Sequence, residues 1–142
     1  MTDYNGPLVV MADDDDDDCT LAREAFEESA IEGSFDCVED GMELMDYLIR
    51  AGNHGEGAKS RAPSLILLDL NMPKKDGRET LREIKAIPVL QDIPVVILTT
   101  SRDEKDVAFS LAHGARSFIT KPATFAEWVE MMRSLLAPPG NG

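Results

Sequence analysis

The sequence predicts a doubly wound α/β domain with a parallel central sheet. Strand and helix signals alternate along the 142 residues, several of the strand signals are unbroken apolar runs, and no repeat or linker divides the chain. An unbroken apolar run is typical of a strand buried on both faces, and strands that alternate with helices are typical of a parallel sheet covered by helices. The length suits one domain and is too short for two. We therefore expect a single domain over residues 1–142, with a core from about 7 to 136 and a short disordered tail at 137–142.

The first half of the chain predicts two strands and two helices. Residues 8–12 form an apolar run, and apolar residues then recur at helical spacing over 21–26, with Gly33 just past the end of the helix. Residues 35–38 alternate in hydrophobicity like a short strand, and residues 42–49 indicate a second amphipathic helix. Each predicted strand is thus followed by a helix.

The second half repeats this alternation after a loop. Residues 52–62 carry three glycines and no apolar period, which predicts an exposed loop around His54. The following strands and helices are predicted at 65–68, 81–85, 94–98, 107–112, 117–119 and 125–136. His113 falls near the end of one of these helices, where a cation suits the helix dipole, so we interpret both histidines as structural. The methionines and Trp128 fall at core spacing and indicate packing.

The charge balance excludes several classes of function. Twenty-seven acids against fourteen bases give a net charge of −13, and six of the acids form one run from Asp13 to Asp18. Such a chain is repelled by nucleic-acid phosphates and anionic lipid, and it shows neither a membrane-length apolar run nor a signal-peptide pattern. Cys19 and Cys37 lack metal-binding spacing and are too few for a disulfide framework. We expect a cytoplasmic protein with two reduced packing cysteines and with no nucleic-acid or membrane partner.

The predicted strands end in residues that can do chemistry. Asp13 and Asp14 follow the first strand and Asp69 follows the third, while Thr99 follows the fourth and Lys121 comes shortly after the fifth. The carboxyl ends of parallel strands share one edge, where ligands bind, so three carboxylates converge if the first and third strands are neighbours. Converging carboxylates require a cation, and oxygen ligands suit Mg²⁺. A carboxylate, a divalent cation, a lysine and a hydroxyl can together hold a phosphoryl group in transfer.

The run of six aspartates leaves its own register open, because any adjacent pair could serve. The strand favours Asp13 and Asp14, which lie at its carboxyl end, since the helical stripe must begin at Leu21. Residues 15–18 are then interpreted as a solvated loop and helix start, where acids suit the positive end of the helix dipole.

Several motifs together carry a resemblance to a known family. They are the acid pair Asp13-Asp14, residues 67–73 with Asp76-Gly77, residues 99–101, and Lys121-Pro122. In order and spacing the chain resembles the receiver domain of bacterial two-component response regulators. The turn at 73–79 and the loop before the third strand are similar to single-domain regulators encoded with phytochrome-type histidine kinases. The resemblance implies a flavodoxin-like sheet of order 2-1-3-4-5 with five helices in a three-layer αβα arrangement.

The same resemblance implies a role for each site residue. Asp69 takes a phosphoryl group from the phosphohistidine of a sensor histidine kinase. Mg²⁺, or Mn²⁺, is bound directly by Asp14, Asp69 and the backbone carbonyl of Asn71, and through water by Asp13. The remaining implied roles are an ion pair from Lys121 to the phosphorylated acceptor, a rotating hydroxyl on Thr99, an inward-turning Phe118, and a cis peptide bond before Pro122. Thr100 departs from the family pattern, which often has a small residue there, and we expect it to crowd the switch.

These expectations favour a signalling switch over the alternatives. An aspartyl phosphatase needs a second acid two residues after its nucleophile, and Asn71 stands there, so we do not expect a turnover enzyme. Flavin or nucleotide binding needs a glycine-rich turn after the first strand, where the acidic run would repel phosphate. An adaptor that ignores phosphorylation is less consistent with the acid pair, threonine and lysine. We expect output through protein contacts on the face of the fourth helix, fifth strand and fifth helix, with an unidentified output protein or a second copy in a homodimer.

Overall fold

Five parallel strands form one sheet in the order β2-β1-β3-β4-β5. The computed structural model describes residues 6–53 and 62–137. The strands are β1 (Leu8–Ala12), β2 (Ser34–Val38), β3 (Leu65–Leu68), β4 (Val95–Thr99) and β5 (Ser117–Thr120). The helices are α1 (Asp16–Glu28), α2 (Gly41–Asn53), α3 (Gly77–Ala86), α4 (Glu104–Ala112) and α5 (Phe125–Leu135). The predicted fold class and the implied strand order are confirmed.

Helices pack on both faces of the sheet and make two separate apolar cores. Successive residues of a strand point to opposite faces, so Val9 and Met11 contact the core under α1 and α5, whereas Val10 and Ala12 contact the core under α2 and α3. None of these four side chains is more than 1% exposed. This two-sided burial is why the strands are unbroken apolar runs in the sequence.

The chain leaves α1 and α2 at positions other than those the sequence predicts. Helix α1 ends at Glu28, and Ala30 adopts a left-handed φ of 62°, so Ala30 and not Gly33 makes the turn after the helix. Helix α2 continues to Asn53, so the predicted loop does not start at Gly52. The rest of that loop up to residue 61, with His54, lies outside the described residues, as do residues 1–5 and the tail beyond residue 137.

Cys19 and Cys37 are joined by a disulfide bond, so the expectation of two reduced cysteines is wrong. Cys19 lies in the first turn of α1 and Cys37 in β2, with Cα atoms 6.4 Å apart, a usual separation for a disulfide. The separation of 18 residues in the sequence does not show that these two cysteines lie close together in the fold. The crossover from β1 through α1 to β2 brings them together.

Trp128 is buried as expected, but not every apolar residue packs in the core. Met42 on α2 is 53% exposed, so the expectation that all the methionines pack is wrong for this one. Leu111 on α4 and Phe125 on α5 are also exposed. Within residues 6–53 and 62–137, no helix is both long enough and apolar enough to cross a bilayer.

Candidate functional site

Backbone hydrogen bonds of the sheet place three of the predicted site residues. The Asp13 N–H donates to the Val38 carbonyl at 3.0 Å, and the Asp69 N–H donates to the Ala12 carbonyl at 3.1 Å. The Lys121 N–H donates to the Thr99 carbonyl at 2.9 Å. Each bond continues the strand ladder by one more step, so these residues sit at fixed positions along the carboxyl edge of the sheet.

Three carboxylates converge at this edge, as the sequence predicts. Asp13, Asp14 and Asp69 each place one oxygen within 4.8 Å of the others. Asp13 is 1% exposed and Asp69 is 6% exposed, whereas Asp14 faces solvent. Backbone N–H groups orient the buried pair, because Asp15 donates to Asp13 Oδ1 at 2.9 Å and Asn71 donates to Asp69 Oδ1 at 3.2 Å.

The Lys121 ammonium lies among the buried carboxylates. Its Nζ is 2.7 Å from Asp18 Oδ2, 2.8 Å from Asp13 Oδ2 and 3.3 Å from Asp69 Oδ2. Burial alone lowers the pKa of this ammonium, but the nearby charges of Asp13 and Asp18 outweigh burial and raise the pKa above the ordinary value. Lys121 is therefore charged at neutral pH.

Asp13 carries a charge that its surroundings only partly satisfy. Burial raises the pKa of Asp13 from 3.8 to about 6, although the Lys121 ammonium and the Asp15 N–H both act to lower it. Asp13 Oδ2 is buried and has no aligned hydrogen bond, even though Lys121 Nζ is at ion-pair distance. A buried carboxylate oxygen without a hydrogen bond, beside two further carboxylates, fits a divalent cation that prefers oxygen ligands.

Asp18 was interpreted as solvated charge, and the structure corrects this. Asp15 caps α1 by accepting N–H bonds from Asp17 and Asp18, and Asp16 and Asp17 are exposed as expected. The Asp18 side chain is only 21% exposed and accepts a hydrogen bond from Lys121. A sequence signal existed, because Asp18 lies one helical turn before Ala22 on the buried face of α1.

Thr99 is the last residue of β4, and Phe118 lies within β5, two residues before its end. Thr99 is fully buried, and its Oγ1 accepts the Ser101 N–H at 3.5 Å. Phe118 pairs with Ile97 of β4 and is half-buried against the core under α2 and α3. Thr100 is exposed.

The Lys121–Pro122 peptide bond is trans, so the expected cis peptide is wrong for this structure. Trans is the lower-energy form of most bonds that precede proline. Lys121 reaches Asp13, Asp18 and Asp69 with the bond in this form, so the contacts of the ammonium do not require the cis isomer.

A hydrogen-bonded cluster next to Thr99 was not predicted from the sequence. Asp106 of α4 accepts from Arg78 Nη2 at 2.8 Å and Nε at 3.1 Å, and from Ser101 Oγ at 2.7 Å. The Ser101 hydroxyl and the Arg78 guanidinium lower the pKa of Asp106 below its usual value. The cluster ties the start of α3 to α4 and to the loop after β4. No pattern in the sequence joins residues 28 positions apart.

Helix α3 begins directly against the backbone of Asp69. The Gly77 N–H donates to the Leu70 carbonyl at 2.9 Å, and Asp76 caps the helix by accepting the Glu79 N–H. A methyl group on Gly77 would overlap the Asp69 carbonyl oxygen. Only glycine permits this close approach.

Comparison with known proteins identifies the family. Residues 9–133 match the model of the response regulator receiver domain. The chain is a response regulator receiver domain. This receiver domain is 38% identical over 137 residues to response regulator Rcp1 of Synechocystis sp., covering 95% of this chain and 91% of Rcp1.

Solved structures show the same likeness. The phosphorylated cyanobacterial phytochrome response regulator RcpA matches with a TM-score of 0.79 and 38% identity, over 92% of this chain and 91% of RcpA. The Mn²⁺-bound form of Rcp1 matches with a TM-score of 0.77 and 38% identity, over 91% of each chain. Receiver domains of this family accept a phosphoryl group from histidine kinases in two-component signalling and are not turnover enzymes in the usual sense. The Asp13, Asp14 and Asp69 cluster of this receiver domain fits a divalent metal.

Proposed function

We propose that Asp69 is the phosphoacceptor of this receiver domain. The observation that carries the proposal is the position of its buried carboxylate, 3.3 Å from the Lys121 ammonium and beside Asp13 and Asp14. The Asn71 N–H holds one of its oxygens, so the carboxylate is oriented before a phosphodonor arrives. In the transfer, an Asp69 oxygen bonds to phosphorus while the bond from the donor histidine nitrogen to phosphorus breaks. The departing imidazole keeps the electron pair of that bond.

The acid cluster is proposed to hold Mg²⁺, which Mn²⁺ can replace. Asp14, Asp69 and the backbone carbonyl of Asn71 are the proposed direct ligands, and Asp13 contacts the ion through water. Solvent-exposed Asp14 offers the ion a route into the otherwise buried cluster. When bound, the ion supplies positive charge against the phosphoryl oxygens.

Four residues are proposed to hold and sense the phosphoryl group. Lys121 pairs with a phosphoryl oxygen, and its charge at neutral pH suits it to that task. The Thr99 hydroxyl rotates to donate a hydrogen bond to a second phosphoryl oxygen. The Phe118 side chain moves inward when Thr99 rotates. Thr100, the next residue along the chain, limits the space for this movement. The receiver domain thereby assists both its own phosphorylation and its dephosphorylation.

The proposed phosphodonor is a sensor histidine kinase of the phytochrome type. The likeness to RcpA, a phytochrome response regulator, supports this choice. The net charge of −13 is consistent with output through protein contacts, because it opposes nucleic-acid binding.

Incubation with acetyl phosphate and Mg²⁺, followed by intact-mass measurement, tests the acceptor. We expect the added mass of one phosphoryl group, and we expect Asp69→Asn or a chelator to abolish it. Asp92→Asn removes an exposed carboxylate and serves as the matched control, with labelling like the wild type. Labelling of Asp69→Asn at the wild-type level, or no labelling of the wild type even by its cognate kinase, would refute the proposal.

Phosphorylation is proposed to create a homodimer through the face of α4, β5 and α5. Leu111 on α4 and Phe125 on α5 expose large apolar surfaces there, and Phe118 of β5 connects the face to the switch. We expect size-exclusion chromatography to show a larger species after phosphorylation, which Phe125→Ser weakens. An unchanged elution volume on complete phosphorylation would exclude the dimer.

A further inference from the structure

We infer that Asp18 is a positioning residue that draws the Lys121 ammonium away from the metal-binding carboxylates. The shortest contact of Lys121 Nζ is the 2.7 Å bond to Asp18, and the longest of the three is the 3.3 Å contact with Asp69. The first turn of α1 therefore shares the ammonium with the metal cluster and supplies its shortest hydrogen bond. The inference rests on the proposed metal site and adds a residue outside its ligand set.

An ammonium and a divalent cation compete for the same oxygens in this site. Lys121 is only 10% exposed, and its buried charge needs carboxylate partners. Without Asp18, the remaining carboxylates within its reach are Asp13 and Asp69, which belong to the metal cluster. A lysine fully engaged with these two would neutralise them and oppose the entry of a metal ion.

The hydrogen bonding of Asp13 is consistent with this role of Asp18. Lys121 Nζ is 2.8 Å from Asp13 Oδ2, yet this buried oxygen has no aligned hydrogen bond. The ammonium donates instead to Asp18 Oδ2 at 2.7 Å and, over a longer bond, to Asp69 Oδ2 at 3.3 Å. Asp13 Oδ2 keeps its capacity to accept a bond from a water molecule of a metal ion.

Helix α1 fixes Asp18 in this position and also supplies the matched control. The Asp18 N–H donates to Asp15 Oδ1 at 3.3 Å, and the side chain points along the buried face of the helix. Asp17 lies in the same turn, carries the same charge and is exposed. Asp17→Asn therefore removes one charge near the helix start without touching the Lys121 contacts.

Isothermal titration calorimetry of the metal-free protein with Mg²⁺ tests the inference. We expect Asp18→Asn to weaken Mg²⁺ binding at least about threefold more than Asp17→Asn does, a coupling of the size found between contacting residues. We expect this difference to vanish in a Lys121→Met background, because the ammonium that Asp18 positions is gone. Lys121→Gln replaces Lys121→Met if circular dichroism shows that the methionine variant does not fold.

Two results would overturn the inference. The first is equal weakening by Asp18→Asn and Asp17→Asn. The second is an Asp18→Asn effect that persists in the Lys121→Met background, since the charge would then act on the metal directly through space. No phosphodonor is present in the titration, so a failure of Asp69 as the phosphoacceptor would leave the result unchanged.

Discussion

Asp13 is a residue whose negative charge is disfavoured by its burial. Its pKa of about 6 in the folded protein exceeds the ordinary 3.8, so the folded protein binds this proton more tightly than the unfolded chain does. Protonation of Asp13 therefore stabilises the folded protein. This contribution is fully present below about pH 4 and is lost as the pH rises through about 6. The difference between the two pKa values of Asp13 corresponds to roughly 3 kcal/mol in the free energy of unfolding. A bound cation would offset this cost.

The first prediction concerns the pH dependence of stability without metal. In chelator, we expect Asp13→Asn to be more stable than the wild type by up to roughly 3 kcal/mol above about pH 7. The gain should shrink as the pH falls from about 6 to about 4, where the wild-type carboxyl is itself neutral. Urea denaturation across this range measures it, with Asp92→Asn as the control. A gain independent of pH would contradict the prediction.

Site residues at the ends of strands are easier to predict from the sequence than site residues on the faces of helices. Asp13, Asp69 and Lys121 were found from the sequence because each follows an apolar run, and parallel strands bring their ends to one edge. Asp18 was missed because it belongs to a helix, and its partner is 103 positions away. Two side chains so far apart can be paired only when the arrangement of α1 against β5 is known.

The disulfide acts at the scale of elements, because it joins α1 to β2. Helix α1 follows the loop that carries Asp13 and Asp14, and β2 pairs with β1, which precedes that loop. The bond therefore fixes the start of the helix on the edge strand. A cross-link between residues 18 apart stabilises the fold mainly by restricting the unfolded chain.

The second prediction is that reduction of this bond lowers the free energy of unfolding by about 3 kcal/mol. Guanidinium denaturation with and without reductant measures the loss. The Cys19→Ala/Cys37→Ala double variant should match the reduced wild type and should not respond to reductant. Titration of two free thiols per chain in protein kept from reductants would show that the bond is absent.

The element boundaries show how far apolar patterns predict structure. β3 was predicted to the residue because both of its ends are marked by a change from apolar to polar residues. The start of α4 is set instead by Asp103, which caps the helix by accepting the Lys105 N–H, and the apolar stripe begins only at Val107. Caps lie outside the apolar stripe, so helix starts are less visible in an apolar pattern than buried strands.

At the scale of the whole molecule, the net charge of −13 is the dominant property. Many like charges on a small domain repel one another and oppose its compact state. Lys121 offsets this repulsion locally at the acid cluster, as a bound metal ion would, but not over the rest of the surface.

The third prediction is that salt stabilises the metal-free protein at neutral pH. Raising NaCl from about 10 mM to about 150 mM shortens the Debye length from about 30 Å to about 8 Å. We therefore expect the thermal midpoint, followed by circular dichroism, to rise at pH 7. The rise should disappear near the isoelectric point of about 4.4, where the net charge is small. An equal response at both pH values would contradict the prediction.

The backbone bonds of Asp13, Asp69 and Lys121 to neighbouring strands affect more than the placement of side chains. Their amide hydrogens are bonded to carbonyls at the edge of the sheet, although these residues lie in loops. We expect such hydrogens to exchange slowly with solvent deuterium, because their exchange then requires the sheet edge to open. Slow exchange would mean that this edge opens no more often than the core beneath it, and a metal ion bound there would require little further ordering of the backbone.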